Sequence, residues 1–190
     1  MKRVLITGAK GKFAEALSQY FESKGYGIWQ PGDSLDMFVY IIAPVSTEDE
    51  SIEEDFDYDG LLQKYEDIAL DMLKETSKCL NHFRDLDKAR LCFVNSIQSS
   101  VNRAWDFSGG YDRMISAACN MAIRIMFNRL RPLGYTFRVF AAQDINSPDE
   151  ASYAAEYFIT DRSLEEEEPN IRSDENRIVM RDMYEVEIPW

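Results

Sequence analysis

The sequence predicts an α/β fold in which a mainly parallel, doubly wound sheet is flanked by helices. Four short runs, at residues 3–7, 37–43, 90–95 and 136–141, are almost continuously apolar. Strands buried on both faces of a parallel sheet have this composition. Segments with apolar side chains at helical spacing lie between these runs, and such alternation is typical of parallel sheets. The 190 residues fit a single domain, 1–190.

The first elements follow in the order strand, helix, strand. Residues 14–24 carry apolar side chains at helical spacing and are followed by Gly25, a common residue just beyond a helix. A short second strand at 27–30 leads into the turn at 31–33. Only that turn separates it from the strand that begins at residue 37.

Two long helices are predicted, at 61–83 and 111–131. The first has one apolar side, whereas the second is apolar nearly all round. A helix of the second kind is either deeply buried or packs a partner on its outer face. A later helix at 148–160 is expected to begin at the N-cap Ser147, with Glu150 three residues on.

Acidic residues dominate two segments and the chain as a whole. Residues 46–59 include eight acids and no Lys or Arg, and residues 161–176 are expected to form an acidic surface loop. The chain ends at 177–188 in an extended strand or hairpin. With 21 Lys and Arg against 34 Asp and Glu, the net charge is −13. Such a surface repels phosphate backbones and anionic lipids, which argues against nucleic-acid and membrane partners.

The remaining composition indicates a cytoplasmic protein without a metal site. Apolar runs are far shorter than the ~20 residues of a membrane span, and the first residues form a strand and turn rather than a signal peptide. Cys79, Cys92 and Cys119 are widely spaced, as reduced thiols in the cytoplasm are. His82 is the only histidine, so a histidine-based zinc site or a Ser-His-Asp triad has little support.

A glycine-rich turn is the most informative motif. Residues 7–14 read TGAKGKFA and lie between the first strand and the first helix. Gly8 permits a tight turn, Gly11 lets a pyrophosphate approach the backbone, and the helix N-terminus offers N–H groups to the phosphate. Lys10 and Lys12 add positive charge there. The alternative is a Rossmann-type turn that packs well and binds nothing.

The chain resembles the short-chain dehydrogenase/reductase family over nearly its whole length. The resemblance rests on the glycine turn, on the strand end at 38–44, on FVNSIQSS at 93–100, and on the helix, Pro-x-Gly turn and strand at 111–142. It implies a Rossmann fold with NADP or NAD at the glycine turn. It also implies a Ser/Tyr/Lys site that moves a hydride between the cofactor and a carbonyl or alcohol.

The resemblance assigns site residues as follows. The catalytic candidates are Tyr111, Ser96 and Ser99. The cofactor-binding candidates are Thr7, Gly8, Lys10, Gly11, Lys12, Phe13 and Ala43.

The sequence departs from the family at the catalytic positions. The family has Lys four residues after its Tyr, and that cation lowers the pKa of a side chain that ordinarily titrates near ~10. Here Ile115 stands four residues after Tyr111, and Arg113, two residues on, points to a different face. Gln98 occupies the most direct match to the family's serine. Tyr111 is otherwise an aromatic residue at a helix start, and serines after a strand often only cap or turn.

The chain is also shorter than the usual family length of about 250 residues. The family places a helix, a strand and a helix between the second strand and residue 38, and these elements wall the adenine pocket. It places a substrate lid between 136–141 and 148–160. Both regions are reduced to short connections here. The acidic segment 46–59 would oppose a dinucleotide if it faced the cofactor, or it is ordinary solvated surface.

Two functional hypotheses follow. In the first, the chain is a catalytically impaired subunit with weak or no NAD(P) binding, and it forms a homodimer or a hetero-oligomer with a related reductase through the helices 61–83 and 111–131. In the second, it is an NADP(H)-dependent oxidoreductase that acts on a carbonyl or alcohol through Tyr111.

Overall fold

A seven-stranded sheet forms the centre of the structure, a computed structural model that describes residues 1–44, 57–86, 89–103, 109–160, 174 and 177–190. The strand order is β2-β1-β3-β4-β5-β6-β7. Neighbouring strands are parallel except for the antiparallel pair β6 and β7. The predicted fold class is therefore confirmed. The strands are β1 (Arg3–Gly8), β2 (Gly27–Ile28), β3 (Met37–Ile41), β4 (Arg90–Ser96), β5 (Thr136–Ala142), β6 (Met180–Arg181) and β7 (Glu187–Ile188).

Among the described residues, the sheet has no strand at the outer position of the common doubly wound order. That order is 3-2-1-4-5-6, with the third strand outside the second. Here β2 forms the edge, and the chain passes from β2 to β3 without a further strand or helix. The β2–β3 connection is held locally, because Trp29 donates its indole N–H to the carbonyl of Asp33 at 2.9 Å. The connection between β2 and β3 is therefore as short as the sequence predicts.

Helices cover both faces of the sheet. Helices α1 and α5 pack on one face against apolar strand residues such as Val4, Val39 and Phe140. The other three helices pack on the opposite face against alternate residues such as Phe38 and Phe93, because successive strand side chains point to opposite faces. The helices are α1 (Lys12–Ser23), α2 (Tyr58–Tyr65), α3 (Asp71–Cys79), α4 (Gly110–Leu130) and α5 (Pro148–Ile159).

The first long helix differs from the single segment predicted at 61–83. It begins at Tyr58 because the Asp57 carboxylate accepts the backbone N–H of Gly60 at 2.9 Å and caps the helix. A π-helical turn, Glu66–Leu70, joins α2 to α3, and the segment ends in a 3-10 turn, Leu80–His82. Tyr58 and Asp59 of the acidic segment are thus helical and Asp57 is their cap, whereas residues 46–56 lie outside the described residues.

The C-terminal part of the chain confirms two predictions and alters a third. The Ser147 hydroxyl accepts the backbone N–H of Glu150 at 3.3 Å and caps α5, and β6 and β7 form the predicted hairpin. The tract 161–176 lies outside the described residues except for Asp174. This residue is 1% exposed and ion-paired with Arg181, so it is not part of a solvated surface.

Helix α4 has one buried and one exposed apolar side. Ile115 and Ile123 lie in the core, whereas Met114, Met121 and Ile125 are 56%, 63% and 60% exposed. Deep burial therefore does not explain the apolar outer face. In the described part of the chain, no helix is long and apolar enough to cross a bilayer.

Candidate functional site

Gly8 brings the glycine turn against the neighbouring strand. Its φ is +91°, and a β-carbon there would lie 2.2 Å from the carbonyl oxygen of Ile41. The same carbonyl accepts the backbone N–H of Ala9 at 2.7 Å. Only glycine allows this close approach, because a side chain would push β1 and β3 apart.

Gly11 faces open space at the start of α1. Its φ is +121°, and a β-carbon there would meet no atom within 4 Å. It is the N-cap of α1 and supplies no side-chain cap to the N–H groups of that end. Lys10 and Lys12 are exposed beside it. An open helix N-terminus with nearby cations fits a phosphate group.

Phe13 contributes to this turn only through its backbone. Its side chain is 2% exposed and packs in the core between α1 and the sheet. The prediction of Phe13 as a cofactor-binding residue is therefore restricted to its N–H group.

A cavity of about 400 Å³ opens beside the turn, and we call it the glycine-turn pocket. Three predicted cofactor residues line it, namely Thr7, Gly8 and Ala43. The residues that complete its lining are Ala9, Tyr40, Ile41, Asp67, Ile68, Asp71 and Glu75. The ends of β1 and β3 thus line one cavity, and the α2–α3 segment adds three carboxylates to it.

Asp71 is held in place by Tyr40. The Tyr40 hydroxyl donates to the Asp71 carboxylate at 2.8 Å. Burial of the phenol raises the pKa of Tyr40 well above its usual value, and the hydrogen bond to Asp71 raises it further. Tyr40 therefore stays protonated, and it keeps the carboxylate at the wall of the pocket.

The spacing of these acids in the sequence indicates that they share one side of a helix. Asp67, Asp71 and Glu75 are spaced by four residues, which places them on one side of a helix. Their position against the glycine turn depends on how that helix packs across β1 and β3, which spacing alone does not give.

Tyr111 lies in the first turn of α4 and is 9% exposed. Ile115, one turn later, is 1% exposed and belongs to the core. Helix α2 brings a cation to this turn, since Lys64 Nζ lies 3.1 Å from the carboxylate of Asp112. Asp112 is itself 8% exposed. The sequence did not reveal this pair because Lys64 belongs to α2, far from α4 along the chain.

Ser96 performs a structural task at the end of β4. Its hydroxyl accepts the backbone N–H of Gln98 at 3.1 Å and caps the short 3-10 turn Ile97–Ser99. Such a cap is the alternative that its position after a strand left open.

Ser99 lies in a buried polar network between β4 and α4. Its hydroxyl accepts the side-chain amide of Asn120 at 3.0 Å, and Asn95 donates to the Asn120 carbonyl at 2.8 Å. Asn120 follows Tyr111 by nine residues, which is about 13 Å along a helix axis. The structure therefore does not bring Ser99 beside Tyr111.

Two buried oxygens after β4 have no hydrogen-bond partner among the described residues. They are Gln98 Oε1 and Ser100 Oγ. Buried polar atoms nearly always have partners, so these two oxygens are able to accept hydrogen bonds from a bound water or ligand. Gln98 is the residue at the position of the family's serine.

The connection from β5 to α5 is short and fixed. Glu150 is 5% exposed, and its carboxylate accepts the backbone N–H groups of Gln143 and Asp144 at 2.7 and 3.0 Å. The carboxylate thus ties the start of α5 to the end of β5. This agrees with the prediction that no substrate lid lies here.

Comparisons with solved structures identify the fold. A carbonyl reductase from Pseudomonas aeruginosa PAO1 in complex with NADP matches over the full length of both chains with a TM-score of 0.75 and 12% identity. A protein described as a short-chain dehydrogenase/reductase from Burkholderia multivorans with bound NADP matches likewise, with a TM-score of 0.74 and 10% identity. An enoyl-acyl-carrier-protein reductase (NADH) from Aquifex aeolicus VF5 has a TM-score of 0.67 and 14% identity over 84% of this chain and 89% of its own. No protein-family model matches the sequence, and no curated protein does.

Proposed function

We propose that this chain, which has the fold of the short-chain dehydrogenase/reductases, is a weakly NAD(P)-binding subunit with impaired catalysis that assembles through its α2 and α4 helices. Structures of this fold with bound NADP support the choice of cofactor. At such low sequence identity the likeness concerns the fold, so the rest of the proposal depends on this chain's own residues.

The observation that carries the proposal is the open start of α1 at Gly11. Gly11 at the N-cap supplies no side chain to cap the N–H groups of Lys12 and Phe13, and the exposed Lys10 and Lys12 add positive charge. These groups would hold the pyrophosphate. When bound, a nicotinamide cofactor supplies or accepts a hydride. The chain's own residues hold and orient the phosphates.

Impaired catalysis is inferred from the surroundings of Tyr111. A tyrosine that transfers a proton near neutral pH needs a cation that stabilises its phenolate. The residue one turn along α4 is Ile115, which is buried among apolar side chains. Ser96 caps a turn, and Ser99 bonds to Asn120 two helical turns away.

Assembly is inferred from an exposed apolar face on α2 and α4. Met114, Met121 and Ile125 form a ridge along α4, and Leu62 on α2 is 60% exposed beside it. Grooves of about 550 and 400 Å³ flank the ridge, one lined by residues including Leu62 and Met114 and the other by residues including Met121 and Trp190. A ridge between two grooves is self-complementary, as a two-fold interface requires. Monomers rarely expose such apolar patches.

Calorimetric titration with NADPH tests the nucleotide site. We expect weak binding by the wild type and a loss of about fivefold in affinity for Lys12→Ala, because one cation beside the phosphates is removed. Lys74→Ala is the matched control, since Lys74 is also exposed but lies on α3 outside the pocket. Equal losses in both variants, or no binding at millimolar NADPH and low salt, would refute the nucleotide site.

Light scattering tests the assembly. We expect the wild type at micromolar concentration to have twice the 22.0-kDa mass of the chain, and Met121→Glu/Ile125→Glu to be monomeric. Val186→Glu is the control, because Val186 is 53% exposed but lies in the β6–β7 hairpin. A monomeric wild type would contradict the homodimer and leave a related reductase as the partner to test by co-purification.

The second candidate is an NADP(H)-dependent oxidoreductase that uses Tyr111. It is favoured by Lys64, which brings a cation to the first turn of α4 through Asp112. If Tyr111 is the proton donor, Tyr111→Phe should abolish carbonyl-dependent NADPH oxidation, and Lys64→Met should shift the pH profile of kcat/KM. Tyr153→Phe is the control, because Tyr153 is 52% exposed on α5. Unchanged turnover in Tyr111→Phe would exclude this mechanism.

A further inference from the structure

Three carboxylates share the glycine-turn pocket with the anion-binding turn. Asp67, Asp71 and Glu75 line one side of this cavity, and the backbone from Thr7 to Ala9 lines the other. Asp67 is exposed, whereas Asp71 and Glu75 are half-buried. A ligand held at the turn therefore extends past a row of negative charges.

We infer that Asp67, Asp71 and Glu75 act as an electrostatic filter that lowers the affinity for a nucleotide more strongly as its number of phosphate groups rises. The inference rests on the proposed nucleotide site. It assigns to these residues a role in choosing among nucleotides that differ in charge.

The size of the effect follows from the position of the charges. Like charges about 4 Å apart repel by about 1 kcal/mol in water and by several times more where protein excludes solvent. Asp71 and Glu75 are half-buried at the cavity wall. The opposing cations, Lys10 and Lys12, are exposed to solvent, where salt screens them more effectively.

Asp71 is the best-positioned member of the filter. Its hydrogen bond from Tyr40, which is 3% exposed, keeps one oxygen bound at 2.8 Å. The carboxylate therefore cannot rotate freely away from an incoming anion.

The filter predicts an order among three nucleotide probes. Adenosine has no phosphate and should be unaffected by the carboxylates. NADH carries two phosphates and should be weakened, and NADPH carries a third and should be weakened most. Added salt should compress these differences, because it screens the repulsion.

The test is a calorimetric titration of Asp67→Asn/Glu75→Gln with adenosine, NADH and NADPH. Asp71 is retained because it anchors Tyr40. The matched control is Glu22→Gln/Glu66→Gln, which changes the net charge equally at exposed positions that do not line the pocket. At low salt we expect the pocket variant to bind NADPH about tenfold more tightly, NADH less so, and adenosine within about twofold of the wild type.

The outcomes separate this inference from the proposed function. An equal gain in the control, or unchanged NADPH affinity in a pocket variant that binds nucleotide, overturns the filter alone. No binding of any nucleotide to any variant overturns both the nucleotide site and the filter. Circular dichroism checks that each variant is folded, and Asp67→Asn alone replaces the double variant if the latter unfolds, because Asp67 is exposed.

Discussion

Replacement of Gly8 by Ala should break the contact between β1 and β3. The new β-carbon would lie 2.2 Å from the Ile41 carbonyl oxygen, whereas ordinary contact begins near 3.4 Å. The strands must therefore separate by about 1 Å, and the hydrogen bond from Ala9 to the same carbonyl must lengthen. Left-handed strain, overpacking and loss of that bond together cost about 3–6 kcal/mol. This is a large share of a typical stability of about 5–15 kcal/mol.

Urea unfolding followed by tryptophan fluorescence measures this loss, and thermal unfolding should show a Tm lower by about 10 °C or more. Gly25→Ala is the matched control. Gly25 has a φ of +82° and no atom within 4 Å of a built β-carbon, so that variant reports the backbone strain without the collision. If Gly8→Ala were no less stable than Gly25→Ala, the close approach of the two strands would be refuted.

Three further predictions concern the turn, the buried ion pair and a thiol. Gly11→Ala should cost about 1–2 kcal/mol of stability, like Gly25→Ala, because neither β-carbon meets an atom; in calorimetry only Gly11→Ala should also weaken NADPH binding. Burial raises the pKa of Asp174, but the hydrogen bonds and charge of Arg181 outweigh it and lower the pKa below its usual value. The stabilisation is complete above the unfolded pKa of about 3.9 and is lost as the pH falls through the folded pKa. In urea titrations Asp174→Asn should therefore lower the free energy of unfolding by about 3 kcal/mol at neutral pH. Its free energy of unfolding should also fall less steeply than that of the wild type as the pH is lowered. Burial raises the pKa of Cys119 to about 12, so a thiol reagent at pH 8 should label it only after unfolding.

The central strands could be predicted from sequence because their signal is local. The strand predicted at 136–141 is Thr136–Ala142, and the strand predicted at 90–95 is Arg90–Ser96. Each is an almost continuously apolar run, since both of its faces are buried. The same locality made the glycine turn readable, because strand, turn and helix follow one another within the first residues.

Helix starts and contacts between residues far apart in the chain are harder to predict from the sequence. Asp57 caps α2, but it stands in a run of acids whose composition is that of a loop, so the sequence predicts a helix start only at residue 61. The π-helical turn Glu66–Leu70 cannot be recognised from the spacing of apolar residues. The Lys64–Asp112 pair joins two helices, and a single sequence gives no register between them.

The acids of the glycine-turn pocket lie on a helical segment that packs against the sheet. A helix side that packs against another layer must be apolar, because an unpaired buried carboxylate costs several kcal/mol. Asp71 and Glu75 are half-buried at the wall of the glycine-turn pocket, and Asp67 is exposed. Contact with solvent thus lowers the penalty against acids beside the glycine turn. If these acids are only solvated surface, neutralising them leaves nucleotide affinity unchanged, whereas a filter requires the gain in affinity on neutralisation to grow with the number of phosphates. Nucleotide titrations of Asp67→Asn/Glu75→Gln therefore distinguish acids that the fold merely tolerates from acids that alter the choice of nucleotide.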